Sequence, residues 1–312
     1  MSEWKKFKVG MPASKGFNSS CMPFDAVSHT SHVGSAINII EAGEISPSLV
    51  FDESQLNDQR ILVSWLSPNH WSNGFRYGNI RFHFSFKDII EGKKYYWVEA
   101  IAYRIKACRI LITDIDRDSQ LDAYDPMSPT GPWWLNSSDG YHYFNNNYCL
   151  EFMIEAPVPL SNLKRIDFVD HHSSYCSIHR KNPSRCNELG VHSSKGGAIF
   201  LTRAAVSGVD LSKFSEHFIR EDGRPRTELE SAFNEFVVRV SRKVKFSGSF
   251  TGESETSIAV VRAVMSAFTF GLMEEAKLLC EMFKDETTFT NAAAIVLSEM
   301  VGLEKWEELA ST

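Results

Sequence analysis

The sequence predicts an α+β protein, in which a mixed or antiparallel β-sheet core is followed by an all-helical C-terminal domain. Short runs rich in Ile, Val and aromatic residues fill the first two thirds of the chain, and Gly, Asn, Pro and Ser separate them. The last third instead shows helical spacing of its apolar residues. SGVDLS (207–212) and EDGRPR (221–226) break both patterns. With 312 residues, the chain is long enough for two cores, and we expect domains at 1–205 and 206–312.

The predicted strands share β-branched and aromatic composition and are bounded by turn residues. They are RILVSWLS (60–67), NIRFHFSF (79–86), KKYYWVEAIAY (93–103), ACRILIT (107–113), YCLEFMIEA (148–156), LKRIDFV (163–169) and GGAIFL (196–201). An early helix is predicted at SAINIIEAG (35–43), with Gly43 as its C-cap. The C-terminal helices are predicted within 226–246, 257–283 and 289–309.

Composition excludes several classes of protein. Apolar residues make up 43% and charged residues 23% of the chain, which is typical of a globular protein, and the net charge of -6 gives no overall sign of nucleic-acid binding. No stretch has the ~20 apolar residues of a membrane span, and the N-terminal residues lack the apolar core of a signal peptide. The six cysteines are scattered as reduced thiols would be. We therefore expect a cytoplasmic protein without a membrane partner.

Two histidines stand directly before the predicted early helix. His29-Thr30-Ser31 is followed by Ile39-Ile40-Glu41-Ala42-Gly43. This pattern resembles the first motif of the ADP-ribosyltransferase superfamily, H-[GT]-[ST] on a strand and then I-[IL]-x-x-G on a helix. The resemblance implies that His29 hydrogen-bonds the adenosine ribose of NAD and that Thr30 and Ser31 meet the nicotinamide amide. The alternative is a histidine in a surface loop.

A second motif lies in VSWLSPNHWSNGFRYG (63–78), where Trp65 precedes Tyr77 by twelve residues. It resembles the family's paired aromatics, which sandwich the nicotinamide ring, because a flat cationic ring stacks well on π faces. The resemblance implies that Tyr77 stacks on nicotinamide, with Trp65 or Leu66 beneath it. Trp65 departs from the tyrosine common in the family, and packing in the core is the alternative for both aromatics.

Arginines flank these predicted pocket strands and are candidates for binding the NAD pyrophosphate. The resemblance does not choose among them. They are Arg60, Arg76 and Arg81.

A third motif is YCLEFMIEAPVPLSNLKRIDFV (148–169), which resembles the end of the fold in toxins of this superfamily. There a glutamate opens a strand, and the match places Glu151 at that position. Cleavage of the nicotinamide glycosidic bond leaves an oxocarbenium-like sugar, which a nearby carboxylate stabilises. The same carboxylate can take the proton of the incoming nucleophile. Glu99 and Glu155 remain alternatives.

The three motifs occur in the order that the resemblance requires, over about residues 25–170. The resemblance implies an NAD-dependent mono-ADP-ribosyltransferase, similar to bacterial toxin–antitoxin and phage-defence toxins that modify nucleic acid. NAD would be its substrate and a DNA or RNA base its acceptor, with protein second. Arginine-modifying members carry an acidic or amide residue two positions before the glutamate, where this chain has Cys149. We expect the helical domain to bind an antitoxin or a trigger protein.

A segment rich in cysteine and histidine, 170–192, follows the motifs. Cys176 and His179 have the spacing of zinc ligands, and Cys186 with His172 would complete a tetrahedral structural site. A basic loop that contacts phosphate is the alternative. The alternative to an enzyme is a non-enzymatic module that binds nucleic acid or protein, in which this zinc-stapled segment forms the recognition surface.

The acidic loop DIDRDSQLDAYD (114–125) partly matches a calcium-binding loop. It lacks the glycine at position 6 and the final glutamate of that motif, so a solvated loop is the default interpretation.

Overall fold

The computed structural model of the chain describes residues 21–50, 54–69, 77–102, 106–128, 131–146, 149–169, 196–218 and 255–283, with isolated positions between 231 and 240 and at 293–294. Its strands are β1 (Cys21–Phe24), β2 (Ala26–Ser31), β3 (Glu44–Ile45), β4 (Ser64–Leu66), β5 (Ile80–Ser85), β6 (Lys94–Ala102), β7 (Lys106–Thr113), β8 (Asp122–Ala123), β9 (Trp133–Leu135), β10 (His142–Asn145), β11 (Cys149–Ile154), β12 (Val158–Pro159) and β13 (Leu163–Phe168).

The helices are α1 (Val33–Ala42), α2 (Gln55–Asp58), α3 (Phe86–Ile90), α4 (Gly196–Val206), α5 (Glu255–Thr269) and α6 (Met273–Phe283). Two 3-10 turns, Leu160–Asn162 and Ser212–His217, complete the described elements. No helix among the described residues combines the length and the apolar composition that crossing a membrane requires.

The largest described sheet has five strands in the order β4-β11-β7-β6-β8. Strands β11 and β7 run parallel, and the other neighbouring pairs are antiparallel. The smaller sheets have the orders β1-β10-β9, β12-β3 and β13-β5-β2. The fold is therefore α+β with mixed and antiparallel sheets, as the sequence predicts.

The central strands are buried on both faces, because side chains alternate along each strand. On one face, Leu111 of β7 and Met153 of β11 belong to an apolar cluster that also includes Val98 of β6. On the other face, the ring of Phe152 stacks on Phe86, with 4.8 Å between the ring centroids. Burial on both sides accounts for the nearly continuous apolar sequence of β7 and β11.

The chain divides into two compact units. The first comprises the described residues within Met1–Thr30, Ala42–Trp71 and Arg81–Lys164, and the second those within Ser31–Glu41, Ser72–Ile80 and Arg165–Thr312. The five-stranded sheet lies in the first unit. Helices α4, α5 and α6 lie in the second. The predicted domains 1–205 and 206–312 stay a prediction.

Most predicted strands are confirmed. β5, β6, β7, β11 and β13 coincide with them, and β4 forms the end of the predicted 60–67 run. The predicted early helix is confirmed as α1, which buries Ile37 and Ile40 and is followed by Gly43 with a φ of 73°.

One predicted strand is wrong, because GGAIFL (196–201) begins helix α4. An apolar run of this length cannot distinguish a strand from a buried helix. The run continues into TRAAV, and the buried residues Phe200, Leu201 and Ala204 have helical spacing.

The C-terminal helical domain as a whole stays a prediction. Helix α5 begins two residues before the predicted run 257–283, helix α6 ends with it, and residues 270–272 separate the two helices. Most of the other two predicted helical runs lies outside the described residues.

Candidate active site

Three charged side chains lie side by side on the five-stranded sheet. Arg109 of β7 is in register with Glu151 of β11 on one side and with Glu99 of β6 on the other. Arg109 Nε donates a hydrogen bond to Glu151 Oε2 and Nη1 donates one to Glu99 Oε1, each at 2.8 Å. The side chains of Arg109, Glu151 and Glu99 are 0%, 4% and 1% exposed, respectively. We call Glu99, Arg109 and Glu151 the ionic triad.

A β-bulge gives Glu99 its place in the ionic triad. The register between β6 and β7 shifts between Trp97 and Glu99, so that Trp97 pairs with Ile110 and Glu99 with Arg109. In a regular strand, Val98 would stand opposite Arg109 and Glu99 would face the other side of the sheet. The inserted residue therefore lets Val98 join the apolar cluster while Glu99 faces Arg109.

The two glutamates are held differently. Both carboxylate oxygens of Glu99 accept hydrogen bonds from protein, since Oε2 accepts from the backbone N–H of Gln55 at 3.0 Å, at the start of α2. Oε1 of Glu151 instead lies 3.7 Å from the thiol of Cys149, a weak donor. Glu99 thus binds both Arg109 and the backbone at the start of α2, and Glu151 binds Arg109.

The environment of Arg109 favours its charged form. Burial disfavours a buried cation, but the carboxylates of Glu151 and then Glu99 outweigh this effect and raise the pKa of Arg109 above its ordinary value. The guanidinium also lies over the ring of Trp65, with its Cζ atom 5.1 Å from the ring centroid. This distance is that of a cation–π contact.

Trp65 also connects the ionic triad with His29. The Nδ1 atom of His29 lies 2.8 Å from the carbonyl oxygen of Trp65. Because a carbonyl only accepts, Nδ1 carries the hydrogen, and Nε2 of the neutral ring is an acceptor. Burial lowers the pKa of His29, and this effect exceeds the opposite effect of the hydrogen bond to Trp65. His29 is therefore a neutral imidazole with a defined tautomer.

Short polar side chains fix the segments that carry these residues. Ser28 and Ser67 exchange backbone hydrogen bonds of 2.8 and 2.9 Å, which place β2 beside the end of β4. The Ser67 hydroxyl donates to the carbonyl of Leu150 at 2.8 Å, and Asn69 Oδ1 accepts from the N–H of Leu150 at 2.8 Å. The residue directly before Glu151 is thus anchored at both of its backbone polar groups.

In the second unit, Ser31 of the first motif lies against the residues at the end of the second motif. Asn79 donates its backbone N–H to the carbonyl of Ser31 at 3.1 Å. Gly78 has a φ of 140°, and a Cβ atom there would lie 2.2 Å from the backbone of Ser31, so only glycine fits. The half-buried Tyr77 directly precedes this contact.

Of the predicted site residues, the structure brings His29, Trp65 and Glu151 into one network of contacts. Thr30 continues β2 next to His29, and the hydroxyl oxygens of Thr30 and Ser31 are buried without a hydrogen-bond partner among the described residues. Of the arginine candidates, Arg60 is exposed and Arg81 is buried. The predicted positions Arg76, His172, Cys176, His179 and Cys186 lie outside the described residues.

Sequence reasoning missed Arg109, Ser67 and Asn69. A signal for Arg109 was present, because it is the only charged residue in the apolar run ACRILIT, and a charge in a fully buried strand needs a partner. The SPN sequence at 67–69 has the composition of an ordinary turn and gave no such signal.

Two carboxylates of the acidic loop are paired with lysines. Asp114 pairs with Lys93 and Asp116 with Lys94, both at 2.6 Å. In the part of the chain that the structure describes, no three His, Cys, Asp or Glu side chains come together as metal ligands would. The predicted zinc site falls outside that part and stays a prediction.

Comparison with known proteins gives no match, whether to a protein-family model, to a curated protein or to a solved structure. The functional interpretation therefore depends on the motifs and on the geometry described above.

Proposed function

We propose that this protein is an NAD-dependent mono-ADP-ribosyltransferase that transfers ADP-ribose to a nucleic-acid base and releases nicotinamide. The observation that supports this proposal best is the network from His29 through Trp65 and Arg109 to Glu151. The motifs predict three of these residues independently, from segments far apart in the sequence. Their association within one compact unit is what a shared site requires.

Glu151 has the chemistry that the reaction needs. When the bond between nicotinamide and the ribose breaks, its electron pair leaves with nicotinamide, and C1′ of the ribose becomes positively charged. A carboxylate in a low-dielectric environment stabilises that charge more strongly than one in water. Glu151 is buried and bound to Arg109, so it lies in such an environment. Glu99, which accepts from both Gln55 and Arg109, remains the alternative for this role.

The segment around His29 suits a ribose. The tautomer of its ring leaves Nε2 as an acceptor, which a ribose hydroxyl can donate to. The neighbouring Thr30 hydroxyl is buried and has no partner among the described residues. Buried hydroxyl groups usually have partners, and a bound ligand is one explanation for such an atom.

The contacts of Trp65 bear on which aromatic side chain stacks on nicotinamide. One face of its ring is covered by the guanidinium of Arg109, and the ring packs against the apolar cluster of the sheet. These contacts favour a supporting role for Trp65. Tyr77 remains the predicted residue that stacks on nicotinamide.

The resemblance favours DNA or RNA as the acceptor, with protein second, and a biological role as a toxin or a phage-defence effector. Cys149 stands two residues before Glu151, on the same face of β11, and its thiol lies against that carboxylate. An acidic or amide side chain at this position would be expected for modification of arginine. We propose that the helical region binds an antitoxin or a trigger protein.

Release of nicotinamide from NAD tests the proposed activity. We expect the protein to release nicotinamide from labelled NAD and Glu151→Gln to lower the rate at least ~100-fold, since the amide cannot stabilise the cationic sugar. Glu155→Gln is the matched control, because Glu155 follows the same strand and pairs with Arg117 instead. Full turnover in Glu151→Gln would contradict the proposed role of Glu151.

Identification of the acceptor is a separate experiment. We expect mass spectrometry, after reaction with NAD, to find ADP-ribose on a base of DNA or RNA. Modification of protein alone would contradict the nucleic-acid proposal and leave the transferase proposal in place.

A further inference from the structure

We infer that Arg109 and Glu99 are positioning residues, which hold the carboxylate of Glu151 in a fixed orientation for the transfer step. This inference rests on the proposed function and deepens it. In that step the bond between the ribose C1′ and nicotinamide breaks, and the acceptor atom forms a bond to C1′. The acceptor's proton passes to Glu151, whose carboxylate has to be correctly placed to take it. Neither Arg109 nor Glu99 needs to touch the substrate.

The contacts of Arg109 fix its guanidinium in one place. Nε binds Glu151, Nη1 binds Glu99, and Cζ lies over the ring of Trp65. A planar guanidinium held at two edges and one face has little freedom to rotate. It therefore fixes the Oε2 atom of Glu151, although a glutamate side chain can rotate about several carbon–carbon bonds.

Glu99 supplies the connection to the scaffold. Its Oε2 atom accepts from the backbone of Gln55 while Oε1 accepts from Arg109. The bulge in β6 turns Glu99 towards Arg109. Bulges are common next to active sites, where they redirect a side chain. The contacts thus run from the backbone of α2 through Glu99 and Arg109 to Glu151.

The charged and titratable groups near Glu151 come from several strands. Arg109 on β7 is the cation in contact with it, Glu99 on β6 is the second carboxylate on that cation, and Cys149 on β11 contributes a thiol. His29 on β2 joins through the Trp65 carbonyl and is neutral at physiological pH.

The experiment measures kcat and KM for nicotinamide release in three variants that are checked for folding by circular dichroism. For Arg109→Lys we expect kcat to fall at least ~10-fold with KM for NAD within ~3-fold, because lysine keeps the charge but cannot hold both carboxylates in the fixed geometry of a guanidinium. For Glu99→Gln we expect kcat to fall more than ~3-fold with KM for NAD within ~3-fold, because the amide has one acceptor oxygen and cannot accept from both Gln55 and Arg109. For Arg109→Met we expect a larger fall of kcat than for Arg109→Lys, because methionine makes neither hydrogen bond.

Arg117→Lys is the matched control, because Arg117 forms a partly buried pair with Glu155, which directly follows β11 in the same unit. We expect its kcat and its KM to equal those of the wild type.

Different results overturn different statements. Arg109→Lys with a folded structure and a kcat within ~3-fold of the wild type would overturn the positioning role of Arg109 while the transferase proposal stands. A folded Glu99→Gln variant with a kcat within ~3-fold of the wild type would overturn the role of Glu99. A wild-type protein that releases no nicotinamide would overturn the proposed function and this inference with it. Because Arg109→Lys and Glu99→Gln are conservative, the test does not depend on the folding of Arg109→Met.

Discussion

The five-stranded sheet carries ion pairs of two kinds, and burial distinguishes them. In the ionic triad, Arg109, Glu99 and Glu151 are at most 4% exposed. At the start of the neighbouring acidic loop, Lys94 and Asp116 form a pair of 2.6 Å with side chains 49% and 61% exposed. Both pairs join a cation to a carboxylate at nearly the same distance. Only the surrounding solvent differs.

This difference indicates why each pair is present. A surface pair costs little to form and contributes little to stability. A buried pair requires that two charged groups leave water, and apolar residues of the same volume would often stabilise the fold as well or better. A contribution to stability is therefore a weak explanation for the ionic triad.

Among these variants, the largest loss of stability is expected for Arg109→Met. The variant leaves Glu99 and Glu151 buried without their cation, which should lower the free energy of unfolding by about 3–5 kcal/mol. Denaturant titration with circular dichroism as the readout measures this change. The triple variant Glu99→Leu, Arg109→Met, Glu151→Leu should recover most of the lost stability without recovering activity. A triple variant as unstable as the single one would show that the triad is needed for the fold.

An intermediate effect on stability is expected for His29, a partly buried polar group of the first unit. Burial lowers its pKa from the ordinary value of 6.5, so below that pH the unfolded chain binds the proton more readily than the folded chain. The stability that depends on neutral His29 is complete above pH 6.5 and is lost as the pH falls through the lower pKa of the folded state.

The measurement compares the wild type with His29→Asn in urea titrations between pH 7.5 and 5. Asparagine can still donate to the Trp65 carbonyl but cannot take up a proton. We expect a smaller loss of stability on acidification in the variant. Burial also lowers the pKa of His142, so His142→Gln should reduce the loss as well. An unchanged pH dependence in His29→Asn would show that the histidine ring is not desolvated.

The smallest effect is expected for Lys94→Ala at the surface pair. Asp116 raises the pKa of Lys94 through their hydrogen bond, but both groups are solvated and screened by salt. Thermal unfolding should show no change in Tm beyond the error of the measurement. A clear loss of stability that high salt does not reduce would contradict the contrast between buried and surface pairs.

Sequence patterns predicted much of the fold and part of the candidate site. β5, β6, β7, β11 and helix α1 were predicted because alternation, apolar spacing and glycine caps are local properties. The order of the motifs predicts that His29, Trp65 and Glu151 belong to one site. α4 was predicted wrongly, since the composition of its first six residues fits either a strand or a buried helix.

The partners of Glu151 could not be predicted in the same way. Arg109 and Glu151 are 42 residues apart, and Glu99 and Arg109 are 10 residues apart. Their contacts depend on the register of three strands and on the bulge in β6, and a shift by one residue would turn Glu99 to the other face of the sheet. Nothing local in KKYYWVEAIAY indicates that bulge.

The sequence by itself thus determined which segments form strands and helices and which side chains have suitable chemistry, because both follow from the type and spacing of nearby residues. Only the tertiary structure decided that one arginine lies between two glutamates and that His29 donates to Trp65. Those contacts follow from strand pairing between distant segments, and their strength comes from the exclusion of water by the packed sheet.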